Sequence, residues 1–424
     1  MEKIDNSPLM DLTQYDKSAT QLDALYGLPA KVLYCKKCVI SNQRPSSSVE
    51  FKHKKDEKKS TIGFGDDGVC DACRYNEVKE DKINWEMREQ SLVELLDKHR
   101  RNDGGYDIIV PGSGGKDSAY TSHLLKYRYG MNPLTVTWAP HKYTDIGWKN
   151  FENWMHVGGL DNILFTPNGR LHRYLTQQAF INLLHPFQPF IVGQRIIGPL
   201  MAAKFGVKLV MYGENQAEYG NNPDDNAKPT MDRKFFSVGN PEEMILGGKS
   251  VKDIISEKNF SLNDFAPYIP PSADYLESKG VEVHYLGYYM KWDPQECYYY
   301  AVENTGFQAN SERTEGTYSK YSSIDDRIDM FHYFTTLIKF GIGRATYDAA
   351  QEIRNGKITR EEGMNLVRKY DQEFPQKYFN DFLDYIDITE SDFHEIVNRF
   401  RSPHLWYLEN NEWKLRHTVW TETQ

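Results

Sequence analysis

The residues YDIIVPGSGGKDS, from Tyr106 to Ser118, carry the strongest structural signal in the chain. The apolar run Tyr106–Pro111 predicts a short buried strand. The loop after it is rich in glycine and runs into Ala119–Gly130, a helical pattern that ends at a glycine. A glycine-rich loop between a strand and a helix turns backbone N–H groups toward an anion, and the helix N-terminus adds a favourable dipole. The stretch therefore predicts a phosphate-binding loop in an α/β fold.

The side chains of this loop suit the same purpose. Serine hydroxyls donate to phosphate oxygens, and Lys116 supplies a point charge. The carboxylate of Asp117 would repel phosphate unless it holds Mg²⁺ or orients the loop. The spacing matches neither the Walker A loop nor the dinucleotide-binding loop. The candidate phosphate ligands are Ser113, Gly114, Gly115, Lys116, Asp117 and Ser118.

Further short apolar strands alternate with helical patterns on either side of this loop, which predicts βαβ units and a doubly wound, mostly parallel sheet. Beyond Lys291 the pattern turns helical, and Thr359 and Glu362 form a capping box. We predict four parts: a tail (1–34), a zinc-binding module (35–90), a phosphate-loop domain (91–290) and a helical region (291–424). The other predicted strands are Asn132–Pro140, Asp161–Thr166, Val207–Gly213 and Val281–Tyr289.

A second acidic cluster, GENQAEYGNN, begins at Gly213, directly after a predicted strand. The carboxyl ends of parallel strands are where such sheets bind ligands. Glu214 and Glu218 are four residues apart and would share a face of a helical turn. They are candidates for holding Mg²⁺ or positioning a nucleophile; an exposed acidic loop is the alternative.

Four of the five cysteines form two C-x-x-C pairs, Cys35/Cys38 and Cys70/Cys73. Two such pairs complete a closed Cys₄ site, which predicts structural zinc, with an iron–sulfur or redox role as the alternative. Cys297 stands alone and is predicted to be a buried thiol, not a nucleophile.

Composition narrows the function classes. The 424 residues carry a formal net charge of −9, which argues against a protein dedicated to coating nucleic acid. No apolar run approaches the roughly 18–20 residues of a membrane span, and no secretory signal is visible. We therefore expect a cytoplasmic protein without a membrane span.

Beyond these patterns, the loop SGGKDS resembles the PP-loop of the N-type ATP pyrophosphatases, whose fold is adenine nucleotide alpha hydrolase-like. Longer strings resemble the N-acetyl sugar amidotransferases, which convert an acetamido group of a bacterial surface sugar into an acetamidino group. Their acceptors are pseudaminic or legionaminic acid derivatives for flagellin and diacetamido uronic acids for O-antigen. The resemblance runs from about Tyr34 to Trp406; the first 33 residues and the last part of the chain lie outside it. It is carried by Tyr34–Pro45, Asp67–Tyr75, Val110–Tyr120, Leu134–Trp154, Asn162–Arg173, His185–Arg195, Val210–Asn221, Glu315–Asp329 and Lys339–Gly363.

The resemblance implies an enzyme that uses ATP and Mg²⁺, forms AMP and pyrophosphate, and carries structural Zn²⁺. Lys116, Asp117, Glu214 and Glu218 would then be catalytic, with Asp117 and Glu218 as magnesium ligands. Thr137 and Trp138 lie where this fold receives adenosine. Gln194 and Arg195, at the predicted start of a helix, either meet phosphate or sugar or are a surface pair. The candidates for binding a sugar carboxylate are Arg313, Lys320 and Arg344.

Ammonia is implied to come from a separate glutaminase subunit and its ammonia-channel partner. Two rival interpretations remain at this point. A tRNA-modifying PP-loop enzyme would share the loop and the cysteines, but it predicts a basic surface and clustered aromatic residues. A non-catalytic zinc scaffold would not bind ATP.

Overall fold

The computed structural model describes residues 11–221 and 228–421. Its centre is a five-stranded, all-parallel sheet in the order β3-β2-β1-β4-β7, with two small antiparallel hairpins outside it. The predicted α/β class and the predicted strands are confirmed. The strands are β1 (Ile108–Pro111), β2 (Pro133–Trp138), β3 (Asp161–Phe165), β4 (Leu209–Tyr212), β5 (Ile245–Leu246), β6 (Lys249–Ser250), β7 (Glu282–Tyr285), β8 (Trp406–Glu409) and β9 (Glu412–Leu415).

Successive side chains of a strand point to opposite faces of the sheet. The strands β1, β2 and β4 are buried on both faces, whereas the edge strand β3 is partly exposed. Ile108 and Val110 pack in one hydrophobic cluster and Ile109 in another. Helices cover both faces, as a doubly wound sheet requires. The helices are α1 (Asp71–Asp81), α2 (Trp85–His99), α3 (Lys116–Tyr127), α4 (Asp145–His156), α5 (Gly169–Leu183), α6 (Gln188–Phe205), α7 (Val251–Glu257), α8 (Ala273–Ser278), α9 (Leu286–Tyr289), α10 (Pro294–Thr305), α11 (Asp329–Phe340), α12 (Arg344–Arg354), α13 (Arg360–Tyr370), α14 (Phe379–Ile386) and α15 (Glu390–Arg399).

Two boundaries differ from the sequence prediction. The predicted strand Val281–Tyr289 ends at Tyr285, and α9 continues from it. The helix α6 begins at Gln188, before the predicted start at Gln194 and Arg195, because Pro189 suits a first helical turn. The predicted capping box of Thr359 and Glu362 is present at the start of α13.

The N-terminal segment and the cysteine pairs pack against the C-terminal region. The hydroxyl of Tyr15 donates to the backbone oxygen of Arg401 at 2.7 Å. Arg360 donates to the backbone oxygens of Cys35 and Cys38, each at 3.1 Å. The four paired cysteines also share one hydrophobic cluster with side chains of α12 and α13. In the described ranges, no helix combines the length and the apolar character needed to cross a bilayer.

Candidate active site

A cleft of about 720 Å³ opens at the carboxyl ends of β1 and β4. β2 and β3 lie on one side of β1, whereas β4 and β7 lie on the other. The cleft therefore sits where the strand order reverses, which is the ligand position in open doubly wound sheets. Its walls also include residues from the loop between the two cysteine pairs and from α11 and α12.

The predicted phosphate loop forms the floor of this cleft. Gly114 has φ +82°, and a Cβ atom there would lie 2.8 Å from the Cα atom of Phe151. A Cβ atom on Gly112 would lie 2.1 Å from that of Ser118, so the loop accepts only glycine at both positions. Gly115 caps the N-terminus of α3, whose first N–H groups have no partner within the helix. The loop thus presents unpaired donors where an anion would bind.

Lys116 and Asp117 form an ion pair within the loop. Lys116 Nζ lies 2.6 Å from Asp117 Oδ2. Burial opposes the charge on Lys116, but the carboxylates of Asp117 and Glu214 outweigh it and raise the lysine pKa. The other carboxylate oxygen, Asp117 Oδ1, is buried and has no hydrogen-bond partner among the described residues. An unpartnered carboxylate oxygen in a cleft suits a hard cation such as Mg²⁺.

Glu214 reaches the same cleft from the loop after β4. Burial, and then the negative charge of Asp117, raise its pKa to about 7, although Lys116 opposes the shift. The hydroxyl of Tyr219 donates to the Glu214 carboxylate. Two carboxyl groups and one ammonium therefore share this end of the cleft.

Glu218 lies elsewhere. Its two carboxylate oxygens accept from Lys79 Nζ at 3.1 and 3.0 Å, and both side chains are almost fully buried. Lys79 also donates to the backbone oxygen of Trp292 at 2.8 Å. Glu218 is not among the residues that line the cleft. The structure places Glu214 beside Asp117 and gives Glu218 a partner of its own.

Thr137 and Trp138 also lie outside the cleft lining. Both are buried in the sheet, and Thr137 Oγ1 accepts from the Asn162 amide at 2.9 Å. A Cβ atom on Gly193 would lie 2.2 Å from the Trp138 indole, so α6 packs directly on this ring. The expected adenosine contact at this strand end is not part of the observed cleft.

Gln194 and Arg195 do line the cleft, but they do not open a helix as predicted. They lie inside α6, whose start the sequence pattern placed too late. Arg195 Nη1 donates to the backbone oxygen of Ser48 at 3.0 Å, and its guanidinium lies 5.2 Å from the ring centroid of Phe235. This contact joins α6 to the loop between the cysteine pairs.

Of the three candidates for a sugar carboxylate, only Arg344 lines the cleft. Its Nε lies 3.0 Å from Asp348 Oδ1, and its guanidinium lies 4.3 Å from the ring centroid of Tyr333. Burial disfavours the charge of Arg344, but Asp348 and then Tyr333 outweigh it and raise the pKa. Arg313 forms two hydrogen bonds with Glu373, at 2.6 and 2.7 Å, away from the cleft. Lys320 donates to the backbone oxygen of Ser311 at 2.9 Å.

A polar face of α12 forms the cleft wall opposite the loop. Most residues of this face were not predicted from the sequence. Their signal is nevertheless present, because the polar residues of α12 recur at helical spacing, whereas Ala345, Ala349 and Ala350 occupy its buried side. The residues of α12 and its end that line the cleft are Arg344, Tyr347, Asp348, Gln351, Glu352 and Asn355.

The four paired cysteines come together as predicted. All four sulfurs lie within 4.8 Å of one another and are buried. The distances Cys35–Cys73 and Cys38–Cys70 are both 3.8 Å. Four thiolates at about 2.3 Å from one zinc ion would be separated by about 3.8 Å in a tetrahedron. The donor set and its spacing therefore fit a single tetrahedral metal ion.

Cys297 is buried beside the phosphate loop. Burial, and then the charge of Asp117, raise the pKa of this thiol well above its ordinary value. It is therefore a neutral thiol, which is the opposite of an activated nucleophile.

Residues 315–419 match a family model, the C-terminal domain of LPS biosynthesis proteins of the WbpG-like type. This match confirms the resemblance for the helical C-terminal region, which includes the polar face of α12. The comparison with curated proteins gave no match.

The comparison with solved structures gave distant likenesses. An NH₃-dependent NAD synthetase from Campylobacter jejuni is 14% identical with a TM-score of 0.25, and the alignment covers 31% of this chain and 58% of that chain. An NMN synthetase from Francisella tularensis is 10% identical with a TM-score of 0.29, covering 73% and 98%. The U34-tRNA thiolase NcsA from Methanococcus maripaludis, which carries a [4Fe-4S] cluster, is 14% identical with a TM-score of 0.29, covering 83% and 95%. Likenesses this distant carry no argument about the substrate of this chain.

Proposed function

We propose that this chain is an ATP-dependent amidotransferase that converts the acetamido group of an N-acetylated sugar acid into an acetamidino group. The observation that carries the proposal is one cleft lined by both the loop Ser113–Ser118 and the polar face of α12. The loop suits a polyphosphate, and α12 lies in the segment that matches the WbpG-like family. An adenylating enzyme needs its phosphate site and its acceptor site side by side.

The proposed chemistry turns the amide oxygen into a leaving group. The amide oxygen attacks the α-phosphorus of ATP, and pyrophosphate leaves. Ammonia then adds to the amide carbon, AMP leaves with the former amide oxygen, and a proton is lost. The products are the acetamidino sugar, AMP and pyrophosphate, so every atom of the substrates is accounted for.

The loop side chains are assigned to the phosphates. The ammonium of Lys116, at the start of α3, is assigned to the charge that develops on pyrophosphate, and the N-terminus of α3 adds a favourable dipole. We assign Mg²⁺, which would neutralise phosphate charge when bound, to Asp117 and Glu214. The unpartnered Asp117 Oδ1 supports this choice. Because Glu218 is held by Lys79, we no longer assign it to the metal.

Arg344 is assigned to the carboxylate of the sugar acid. Its Nε lies 3.0 Å from Asp348 Oδ1, and its guanidinium carbon lies 4.3 Å from the Tyr333 ring centroid. This arrangement fixes the planar fork that binds carboxylates with two parallel hydrogen bonds. Arg313 and Lys320 already have protein partners outside the cleft, so they are not assigned to the substrate.

We also propose a structural zinc ion at Cys35, Cys38, Cys70 and Cys73, because the four sulfurs have tetrahedral spacing. Ammonia is proposed to come from a separate glutaminase subunit with its channel partner. The buried neutral thiol of Cys297 does not suit the nucleophile of a glutaminase. Free ammonium should replace this partner in vitro.

The test is to incubate the purified chain with ATP, Mg²⁺ and ammonium and a panel of diacetamido sugar acids. We expect AMP and pyrophosphate to form with one sugar acid only. If that sugar carries ¹⁸O in its acetamido group, the label should appear in AMP. Formation of ADP and phosphate would contradict the proposal, and AMP formation with tRNA instead of any sugar would replace it with a tRNA-modifying activity.

A further inference from the structure

Three side chains of metal-ligating types meet behind one wall of the cleft. Glu50 and His53 belong to the short turn Glu50–Lys52 and its end, in the loop between the two cysteine pairs. His185 lies in the turn between α5 and α6. The ligand atoms of all three lie within 4.8 Å of one another. Glu50 and His53 are 8% and 3% exposed, and His185 is partly buried.

The three residues are held in place by the surrounding backbone. The backbone N–H of His53 donates to the backbone oxygen of Glu50 at 3.1 Å, which closes the turn. The amide of Gln188 donates to the same Glu50 oxygen at 2.8 Å and accepts from the N–H of Gly247 at 2.9 Å. The turn is therefore fastened to the first residue of α6, close to His185. These bonds fix the backbone that carries Glu50 and His53 relative to α6, and a specific metal site requires such fixed positions.

The distances from Glu50 to the two histidines are at the long limit of a hydrogen bond and near the ligand spacing of a metal site. One oxygen, Glu50 Oε2, lies 3.5 Å from His53 Nδ1 and 3.5 Å from His185 Nε2. A hydrogen bond between a charged histidine and a carboxylate is about 2.7–2.9 Å long. Two ligands at about 2.0–2.1 Å from a tetrahedral zinc ion lie about 3.3–3.4 Å apart. The observed spacing is closer to that of ligands around a metal ion.

We propose that Glu50, His53 and His185 bind a second divalent transition-metal ion of the zinc class, separate from the cysteine site. Two imidazole nitrogens and one carboxylate are all ligands that zinc accepts, and they would fill three of its four positions. Imidazole-rich sites of this kind also accept cobalt and nickel, whereas magnesium and calcium prefer oxygen ligands alone. The ligands come from two segments far apart in sequence, so the ion joins the loop between the cysteine pairs to the α5–α6 turn.

This ion would support the cleft without lying in it. The His185 ring stacks on His332 with a centroid distance of 5.1 Å and an interplanar angle of 29°. His332 lines the cleft, whereas none of the three ligands does. A metal bound to His185 would fix the ring against which His332 packs. We therefore assign the ion a structural role.

The test counts metal ions per chain by mass spectrometry of purified full-length protein, refilled with Zn²⁺ and freed of excess metal. The variants are Glu50→Gln and His53→Gln, each close in size to the residue replaced. The control is His394→Gln, which removes an exposed histidine whose Nε2 lies 3.7 Å from Glu390. We expect two ions in the wild type and the control and one in each triad variant.

The ion held by the cysteines serves as the internal check on folding, because a variant that failed to fold would lose it as well. Refilling with Co²⁺ separates the two sites, since thiolates give an intense charge-transfer band that imidazole and carboxylate do not. The band should persist in His53→Gln while the cobalt count falls by one. Equal metal counts in the wild type and the triad variants would overturn the proposal. The Glu50 carboxylate would then be balanced by its direct contacts with His185 and His53.

Discussion

Asp117 is the residue on which the proposed chemistry depends most directly. Its Oδ1 atom is buried without a partner, while Oδ2 is held by Lys116. Replacement by asparagine keeps the shape of the side chain and removes the charge that we assign to Mg²⁺. We expect Asp117→Asn to lower the rate of AMP formation by about 100-fold or more, the order seen when one transition-state contact is lost.

The matched control for this change is Asp145→Asn, which alters a fully exposed aspartate in the first turn of α4. Its rate of AMP formation should equal that of the wild type. Thermal melting should show that both variants fold. An Asp117→Asn variant with full activity would remove this carboxylate from the mechanism.

Glu214 makes the stability of the protein depend on pH. Its pKa is about 7, against an ordinary value of 4.5, so the folded state disfavours the ionised form. Stability should therefore fall as the pH rises from about 4.5 to about 7, by up to roughly 3 kcal/mol. Glutamine carries no charge, so Glu214→Gln should gain in melting temperature over the wild type between pH 5 and pH 8.

This measurement is made without ATP and Mg²⁺, which would change the charge of the cleft. The control Glu94→Gln removes an exposed carboxylate of α2. A melting-temperature difference between Glu214→Gln and the wild type that stayed constant over this pH range would show that Glu214 ionises normally.

At the scale of helices, strands and loops, some features were predictable from the sequence and others were not. The apolar strands were predictable because β1, β2 and β4 are buried on both faces and read as continuous apolar runs. The phosphate loop was predictable because its backbone geometry requires glycine at Gly112 and Gly114. The predicted pairing of Glu214 with Glu218 does not occur, because the prediction assumed that both residues lie on one helical turn. Only Gln216–Tyr219 forms a turn, of the tighter 3₁₀ type, and Glu214 precedes it.

The buried pair Lys79–Glu218 joins α1 to that turn, and it offers a test of a structural role. Lys79→Met would leave the Glu218 carboxylate buried without its ion-pair partner. We expect the free energy of unfolding to fall by about 3–5 kcal/mol. The double variant Lys79→Met/Glu218→Leu should recover much of that loss, because it removes both charges. Urea titration measures both values; a double variant less stable than Lys79→Met would contradict the assignment.

The polar face of α12 should control recognition of the sugar acid. Arg344→Lys keeps the charge but loses the planar fork, so the KM for the sugar acid should rise by about 10-fold or more. The KM for ATP should stay unchanged. Arg313→Lys is the matched control, since Arg313 pairs with Glu373 outside the cleft; it should leave both KM values as they are. Equal effects of the two variants on the sugar KM would remove Arg344 from the acceptor site.

On the scale of the whole molecule, the four parts predicted from the sequence do not have separate cores. Sequence patterns report local periodicity, and they cannot show that Cys35 and Val367 pack in one cluster. For the same reason the cleft wall could not be predicted, because Arg195 and Arg344 both line it but belong to helices far apart in the chain. The loop residues were predictable one by one, whereas their neighbours across the cleft required the tertiary fold.

This shared core predicts how the molecule responds to loss of the metal ion that we propose at its four paired cysteines. The cysteine cluster includes side chains of α12 and α13, and Arg360 of α13 binds the backbone of Cys35 and Cys38. Removal of the ion by a chelator should therefore lower the melting temperature of the entire molecule in one transition, because metal binding contributes to folding free energy. Circular dichroism and tryptophan fluorescence should report the same midpoint, and added Zn²⁺ should restore it. Two separate transitions, with the sheet unaffected, would instead show that the cysteine module folds on its own.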